Sequence, residues 1–156
     1  MATASRVEDY LMRHGVHCDV LMHPHSHSSM ETAELARVPG DRVAKSVILE
    51  DDDGYVMAVL PSTYHVRLGK LSRELNRRLR LATEDELARL FTDCETGAIP
   101  PLGLAYGMPT IVDDSLALQS EIYCEGGDHE TLLHMNRDAF MALMEHADHA
   151  RFARRG

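Results

Sequence analysis

The sequence predicts a single α+β domain in which helices flank a mixed β-sheet. Short apolar runs of β-forming residues and amphipathic helical segments follow one another without a regular strand–helix–strand rhythm, which favours this class. A chain of 156 residues is long enough to bury one hydrophobic core. No repeat, low-complexity tract or Pro/Ser-rich linker divides it. We therefore expect one domain over residues 1–156.

Five helices are predicted, and most of them open on a recognisable start signal. Ser5-Arg6-Val7-Glu8 and Ser28 with Glu31 have the form of capping boxes, in which side chains satisfy the free N–H groups of the first turn. Thr83-Glu84-Asp85-Glu86 is a third start signal. The predicted helices run from residue 5 to Gly15, from 28 to about 40, over 70–80 and 83–90, and onward from Asn136-Arg137-Asp138.

The strands are predicted from apolar runs bounded by turn residues. The runs 43–50 and 55–60 are separated by Asp51-Asp52-Asp53-Gly54, a sequence typical of a β-hairpin. Further short strands are expected at 16–22, 110–112, 121–124 and 131–135, and a loop rich in Gly and Pro at 92–108.

Composition restricts the classes of partner. The net charge of −9 argues against a protein that coats nucleic acid, so we expect no DNA partner, although a local basic patch remains compatible with it. No segment approaches the roughly 20 apolar residues that a membrane span needs, and the first residues lack the apolar core of a signal peptide. We expect a cytoplasmic protein without a membrane partner. The three scattered cysteines suggest no disulfide or zinc site.

A basic segment is the first candidate for RNA binding. Residues 67–80 hold six basic side chains and one acidic side chain. On a helix over 70–80, leucines at every fourth position would face the core and four basic side chains would share the opposite side. These four are Lys70, Arg73, Arg77 and Arg80. They predict either an electrostatic seat for an RNA backbone or a solvated helix face.

Lys45 and a Gly/Pro loop are the candidates for chemistry. Lys45 is one of only two lysines and lies within the apolar run 43–49. It is either an edge residue or a cation in a cleft, where an ammonium binds phosphate or carbonyl oxygens. The segment 92–103 contains Gly97, Gly103 and the pair Pro100-Pro101. Such a loop can present backbone N–H groups to an oxyanion, or it can be a plain turn.

The histidines raise the question of a metal. His23, His25 and His27 lie within five residues, but no carboxylate or thiolate accompanies them at a ligand spacing. We expect no metal, although a metal-dependent hydrolase using this cluster is an alternative hypothesis. The phosphate-binding and dinucleotide-binding glycine motifs and the serine-hydrolase elbow are also absent, so we expect no cofactor.

Taken in order along the chain, these motifs resemble one family nearly from end to end. The matching segments are His14-Gly15-Val16, His23-Pro24, Glu31 to Ala36, Arg42 to Leu49, Tyr55 to Pro61, Leu68 to Leu75, Gly97 to Gly103, Met108 to Asp113 and Gly126-Gly127. The sequence is similar to the family of the YbaK protein and of the editing domain inserted in bacterial prolyl-tRNA synthetases. The lysine, the Gly/Pro loop and the Val-Asp segment in this order are the specific part of the resemblance.

The resemblance implies a mixed α+β fold and hydrolysis of the ester of a mischarged aminoacyl-tRNA by a free-standing enzyme, without metal or nucleotide. It implies that Lys45 holds the 3′-terminal adenosine and its phosphate. It also implies that the loop Gly97-Ala98-Ile99-Pro100-Pro101 places the aminoacyl group near an attacking water. The expected partners are the acceptor end of mischarged tRNA and an aminoacyl-tRNA synthetase.

The remaining site residues are hypotheses. The candidates that line the substrate pocket are Met30, Thr32, Ser46, Tyr64, His65 and Pro101. Two histidines, His129 and His134, are both open as the pocket histidine that the resemblance leads us to expect. The alternative function is a non-catalytic module of the same fold that binds tRNA or a synthetase.

Overall fold

The computed structural model describes residues 3–95 and 97–156 and is organised by a mixed sheet. Eight strands form the sheet in the order β1-β8-β7-β2-β3-β6-β9, with β5 paired to β2, and two more form a small antiparallel sheet, β4 with β10. The strands are β1 (Asp19–Met22), β2 (Val43–Asp51), β3 (Gly54–Pro61), β4 (Tyr64–Val66), β5 (Arg80–Leu81), β6 (Thr110–Asp113), β7 (Glu121–Glu125), β8 (Thr131–Asn136), β9 (Asp148–Ala150) and β10 (Ala153–Arg155). The α+β class with a mixed sheet is confirmed.

Five α-helices flank the sheet. They are α1 (Ser5–Arg13), α2 (Ser29–Ala36), α3 (Leu68–Leu75), α4 (Glu84–Leu90) and α5 (Arg137–Leu143). The side chains of Ser28, Thr83 and Asn136 cap α2, α4 and α5 as the sequence predicts, and Thr83 forms the full reciprocal box with Glu86. None of the helices in the described parts of the chain is long and apolar enough to span a bilayer.

The capping box predicted at Ser5 is wrong, because Ser5 is already the first residue of α1. The N-cap is Ala4, which has no side-chain hydrogen bond to offer. Its backbone N–H donates instead to the carbonyl of Gly126 at 2.7 Å. A tertiary backbone contact therefore sets the start of α1.

The predicted hairpin is confirmed, with Asp51 opposite Gly54 in the register of β2 and β3. The Asp51 carboxylate accepts hydrogen bonds from the backbone N–H groups of Asp53 and Gly54 at 2.9 and 3.2 Å. Gly54 has φ +141, which a residue with a side chain rarely adopts. The acidic turn thus closes itself through the first of its aspartates.

The helix predicted over 70–80 is wrong in its second half. α3 ends at Leu75, and Asn76 takes the left-handed conformation with φ 53. Arg77 then makes a bidentate ion pair with Asp51 of the hairpin, with N–O distances of 2.7 and 2.8 Å. Arg80 pairs with Glu50 where β5 adds to β2. Lys70, Arg73, Arg77 and Arg80 therefore do not share one helix face.

Two hydrophobic cores lie on the two faces of the sheet. α1, α5 and the 92–108 loop cover one face, where Tyr10, Met57 and Phe140 are buried. α3 and the β4–β10 pair cover the other, where Leu60, Leu71 and Phe152 are buried. The short strands β4, β5, β9 and β10 were not predicted from the sequence.

Asp113 attaches the end of the chain to the sheet. Its buried carboxylate accepts backbone hydrogen bonds from Phe152 and Ala153, both at 2.9 Å, and one from Ser115 at 3.1 Å. A buried carboxylate that accepts several N–H groups is well stabilised, whereas its loss leaves those donors without partners. Asp113 is therefore a structural residue of the Val-Asp segment.

We predict that Asp113→Ala lowers the free energy of unfolding by about 2–4 kcal/mol, because two buried N–H groups of the C-terminal segment lose a charged acceptor. Urea unfolding of the purified variant measures this. The matched control is Asp114→Ala, since Asp114 is exposed. Equal stability of the two variants would contradict the anchoring role of Asp113.

Candidate functional site

The sheet opens where β2 and β7 part. The two strands pair in parallel only at Val43 and Ala44 of β2. β3 pairs along nearly the whole of the opposite edge of β2. β5 pairs with Leu49 and Glu50 and must therefore lie on the same edge of β2 as β7. Within the described residues, no strand pairs with this edge at 45–47. Neighbouring strands that diverge leave a crevice at the carboxyl end of the strand, a frequent place for ligands.

A buried polar network lies at the end of β7. Glu125 is 1% exposed, and its Oε1 accepts a 2.7 Å hydrogen bond from the hydroxyl of Thr32 on α2. The hydroxyl of Ser26 lies within hydrogen-bonding distance of the Thr32 hydroxyl and of the His129 carbonyl. The network thus joins α2, the segment before it and the turn after β7.

Two buried atoms here have no hydrogen-bond partner among the described residues. They are Glu125 Oε2 in the network and Nε2 of His23, whose ring acts electrostatically on Glu125. Burial raises the pKa of Glu125, and the Thr32 hydroxyl and the nearby rings of His23 and His129 act in the opposite direction. Because burial has the largest effect, the carboxyl group stays protonated to higher pH than an ordinary glutamate.

His129 is held in an unusual backbone conformation. Its φ of 62 lies in the left-handed region, and the other two described non-glycine residues with positive φ, Arg37 and Asn76, are helix C-caps. The Asp128 carboxylate holds the turn by accepting the N–H groups of Glu130 and Thr131. Such a conformation costs about 1–2 kcal/mol, which the surrounding contacts must offset.

The ring of His129 lies against Gly97. A Cβ added to Gly97 would stand 3.2 Å from His129 Cε1, and Gly97 itself has φ +86. Both the short contact and the positive φ favour glycine, since a side chain would press on the imidazole and strain the backbone. The structure therefore brings the Gly97 loop and His129 together.

The Gly97 loop is also tied to β2. The Ser46 hydroxyl donates to the carbonyl of Ile99 at 3.1 Å, and Ala98 and Ile99 are buried. Pro100 and Pro101 are buried as well. A cavity of about 260 Å³ lies beside the loop between β2 and α4, with Ser46, Gly97 and Ile99 in its wall.

Lys45 lies next to Ser46 but projects from the other face of β2, because side chains alternate along a strand. The pairing of Val43 with Tyr123 places Lys45 on the same face as Glu125. The ammonium donates to the carbonyl of Ser62 at 3.3 Å, and burial lowers the pKa of Lys45. An ammonium carries three donors, so this bond leaves capacity for a ligand.

The lysine and the loop therefore flank β2 from opposite faces, and Lys45 is not among the described residues that line the cavity beside the loop. The Gly97 loop comes to the Lys45 face only past the unpaired edge of β2. There Gly97 contacts the ring of His129, whose backbone carbonyl is joined to Thr32 through Ser26. The meeting point of these groups is the candidate functional site.

The other predicted pocket residues lie elsewhere. Met30 is 57% exposed on α2. Tyr64 and His65 are on β4, where Arg155 lies over the Tyr64 ring at 5.4 Å and a His65 ring nitrogen contacts the carbonyl of Gly156. His134 is stacked on Tyr123 within β8, between the carboxylates of Asp19 and Glu121. Of the two histidines left open by the sequence, His129 is the one beside the loop.

The cysteines are not activated thiols. Burial raises the pKa of Cys94 to about 12 and also raises the pKa of Cys18 and Cys124. A thiol with so high a pKa is a poor nucleophile at neutral pH. Within residues 3–95 and 97–156, no three His, Cys, Asp or Glu side chains are grouped as metal ligands.

Sequence reasoning missed Ser26, Glu125 and the role of His23 in the network. The available signal is a glutamate at the end of an otherwise apolar strand, directly before Gly126-Gly127. A charged residue at that position of a buried strand demands a partner, but the partner on α2 is 93 residues away and no local pattern identifies it.

Comparison with known proteins identifies a family. Residues 23–143 match the family model of the aminoacyl-tRNA editing domain. The proline–tRNA ligase of Geobacillus thermodenitrificans is 27% identical over 137 residues, which are 85% of this chain and 24% of that protein. The chain thus spans about a quarter of the length of that relative.

Two solved structures share the fold. One is a candidate trans-editing enzyme for prolyl-tRNA synthetase, with a TM-score of 0.84 and 25% identity over 97% of this chain and 96% of that chain. The other is the hypothetical protein APE2540, with a TM-score of 0.84 and 22% identity over 96% of this chain and all of that chain. The family match and the first of these two structures support an editing role. The chain belongs to the family of aminoacyl-tRNA editing domains.

Proposed function

We propose that this protein hydrolyses the ester bond of a mischarged aminoacyl-tRNA in trans, with water as the nucleophile and without a metal ion. The observation that carries the proposal is the contact of the Gly97 loop with His129 at the split between β2 and β7. The loop is held there by Ser46, the residue that follows Lys45 on β2. Family membership supplies the class of substrate.

The chemistry needs little from the protein. Water adds to the acyl carbon, the bond from that carbon to the ribose oxygen breaks, and the proton lost by water ends on the ribose oxygen. An aminoacyl ester is already reactive, so holding it in a fixed geometry and stabilising the oxyanion can supply much of the acceleration. A neighbouring ribose hydroxyl can carry the proton, which is consistent with a site that has no activated thiol.

The two sides of β2 have different roles in this proposal. Lys45 binds the phosphate or ribose of the terminal adenosine through the donors that Ser62 does not use. The loop of Gly97, Ala98, Ile99, Pro100 and Pro101 positions the acyl group, and Ser46 supports the loop through the Ile99 carbonyl. Thr32 and His129 contribute the nearest polar wall.

The buried network supports a preorganised site. Glu125 accepts a hydrogen bond from Thr32, and Ser26 links Thr32 to the backbone carbonyl of His129, so the network supports the turn that carries His129. In this proposal Glu125 and Ser26 are structural supports of the network and do not touch the substrate.

The relatives indicate the first tRNA to test. The Geobacillus relative is a proline–tRNA ligase and one structural neighbour is described as a candidate trans-editing enzyme for prolyl-tRNA synthetase. We therefore propose tRNA for proline, charged with an amino acid other than proline, as the substrate. The identity of that amino acid is to be found with a panel of alanine, serine, threonine and cysteine.

We predict that the purified protein releases at least one of these amino acids from the tRNA and that Lys45→Met lowers kcat/KM about 100-fold, since one charged contact to the substrate is removed. Loss of labelled aminoacyl-tRNA over time measures both. Arg13→Ala, which removes an exposed cation on α1, is the control. If every tRNA in the panel stays charged while tRNA still binds, the protein is a non-catalytic binding module instead.

A second prediction concerns Gly97. Gly97→Ala should reduce kcat at least about 10-fold, because the added methyl meets His129 and shifts the loop. Gly107→Ala is the matched control, since Gly107 also has positive φ but has no atom within 4 Å of an added Cβ. Similar loss of kcat in both variants would show that backbone strain alone is responsible and that the contact with His129 has no role.

A third prediction follows from the raised pKa of Glu125. A folded-state pKa above the ordinary 4.5 means that the stability contributed by the protonated carboxyl is fully present below pH 4.5 and is lost as pH rises through the folded pKa. Glu125→Gln stays neutral, so its Tm relative to the wild type should increase from pH 4 to pH 8. Thermal unfolding measures the difference, with the exposed Glu130→Gln as control. A difference that is constant with pH would refute the raised pKa of Glu125.

A further inference from the structure

A second concave surface lies on the face of the sheet from which Lys45 projects. It is a groove of about 540 Å³ between β4, β10 and the segment 113–118. Its walls include Tyr64, Asp113 and four arginines, Arg67, Arg151, Arg154 and Arg155. The sequence analysis did not identify this groove, because β4 and β10 are short and the arginines come from two distant parts of the chain.

Three of the four arginines are available to a ligand. Arg67, Arg151 and Arg154 are exposed, and none forms an ion pair with any described residue. Arg155 is engaged, since it pairs with Asp41 and covers the Tyr64 ring. Arg77, in contrast, is neutralised by Asp51 of the hairpin.

The acidic side chains of the groove do not cancel this charge. Asp113 is buried and occupied by the backbone N–H groups of Phe152 and Ala153. Asp114 is exposed on the rim and is the remaining carboxylate in the wall. Three free guanidinium groups against one free carboxylate leave a positive groove on a protein whose net charge is −9.

The groove continues from the lysine. The Lys45 ammonium donates to the carbonyl of Ser62, and Tyr64 in the groove wall follows two residues later. Lys45 pairs with Leu60 of β3, whose side chain belongs to the same core as Phe152 and Tyr64. Lys45 and the groove therefore lie on one face, joined by the short turn between β3 and β4.

We propose that this groove binds the phosphodiester backbone of the RNA whose acylated 3′ end reaches Lys45. The inference rests on the proposed function for the identity of the RNA. Guanidinium groups bind phosphate oxygens in a bidentate manner, and an open groove with several separated cations fits a strand of successive phosphates rather than one small anion. Contacts of this kind carry no base specificity and weaken with salt.

The test is binding of uncharged tRNA by fluorescence anisotropy at several salt concentrations. Arg151→Gln/Arg154→Gln should weaken binding about 10-fold or more at moderate salt and reduce the slope of log Kd against log salt by about 2, because two phosphate contacts are lost. Arg13→Gln/Arg89→Gln is the matched control, since it removes two exposed cations outside the groove. Both double variants should retain the Tm of the wild type.

The outcomes separate this inference from the proposed function, because binding is measured without turnover. Groove-dependent tRNA binding by a protein that hydrolyses no mischarged tRNA supports the groove and rejects the deacylase. Equal loss of binding in the two double variants reflects net charge alone and overturns the groove, as does wild-type affinity in the groove variant. If deacylation occurs, the groove variant should raise KM for tRNA and leave hydrolysis of a 3′-aminoacyl adenosine unchanged; equal losses on both substrates would also overturn it.

Discussion

The parting of β2 and β7 after two paired residues is the constraint on which the rest of the site depends. Beyond this point, the turn after β7 bonds to other parts of the chain. The Gly126 carbonyl accepts a hydrogen bond from the Ala4 N–H, and the Gly127 carbonyl accepts one from the Glu95 N–H, both at 2.7 Å. The second bond anchors the stem of the Gly97 loop on the β7–β8 turn, while Ser46 anchors its centre on β2. One loop therefore bridges the gap that the two strands leave open.

The network behind the gap is costly to bury and informative for that reason. Glu125 and His23 each retain a buried atom without a partner in the described structure, and desolvated polar groups weaken folding unless they are compensated. A left-handed His129 adds a further local cost. Unfavourable terms of this kind, gathered at one place in a small domain, are typical of functional sites, where geometry rather than stability is maintained.

The sequence was informative where local chemistry decides the structure. The caps at Ser28, Thr83 and Asn136 and the Asp-Gly hairpin use neighbouring residues, and all were predictable. α3 was overextended because the ion pair between Arg77 and Asp51 is a tertiary contact that no helical period contains. The pairing of Thr32 with Glu125 was invisible for the same reason. Lys45 and the Gly97 loop were singled out from the sequence as candidates, but their arrangement on opposite faces of β2 required the structure.

The distribution of charge reconciles an acidic protein with the proposed binding of RNA. Carboxylates of the hairpin form ion pairs with Arg77 and Arg80, and Asp41 forms one with Arg155. Part of the positive charge is therefore neutralised within the protein. Arg67, Arg151 and Arg154 form no ion pair with the described residues, and they lie around β10 and at the start of α3, on the face of Lys45. An overall negative field limits non-specific attachment to nucleic acid, whereas a local positive groove acts within the Debye length of about 8–10 Å. Under the proposed function, such a protein binds RNA where the backbone can follow the groove toward Lys45 and otherwise remains dissociated.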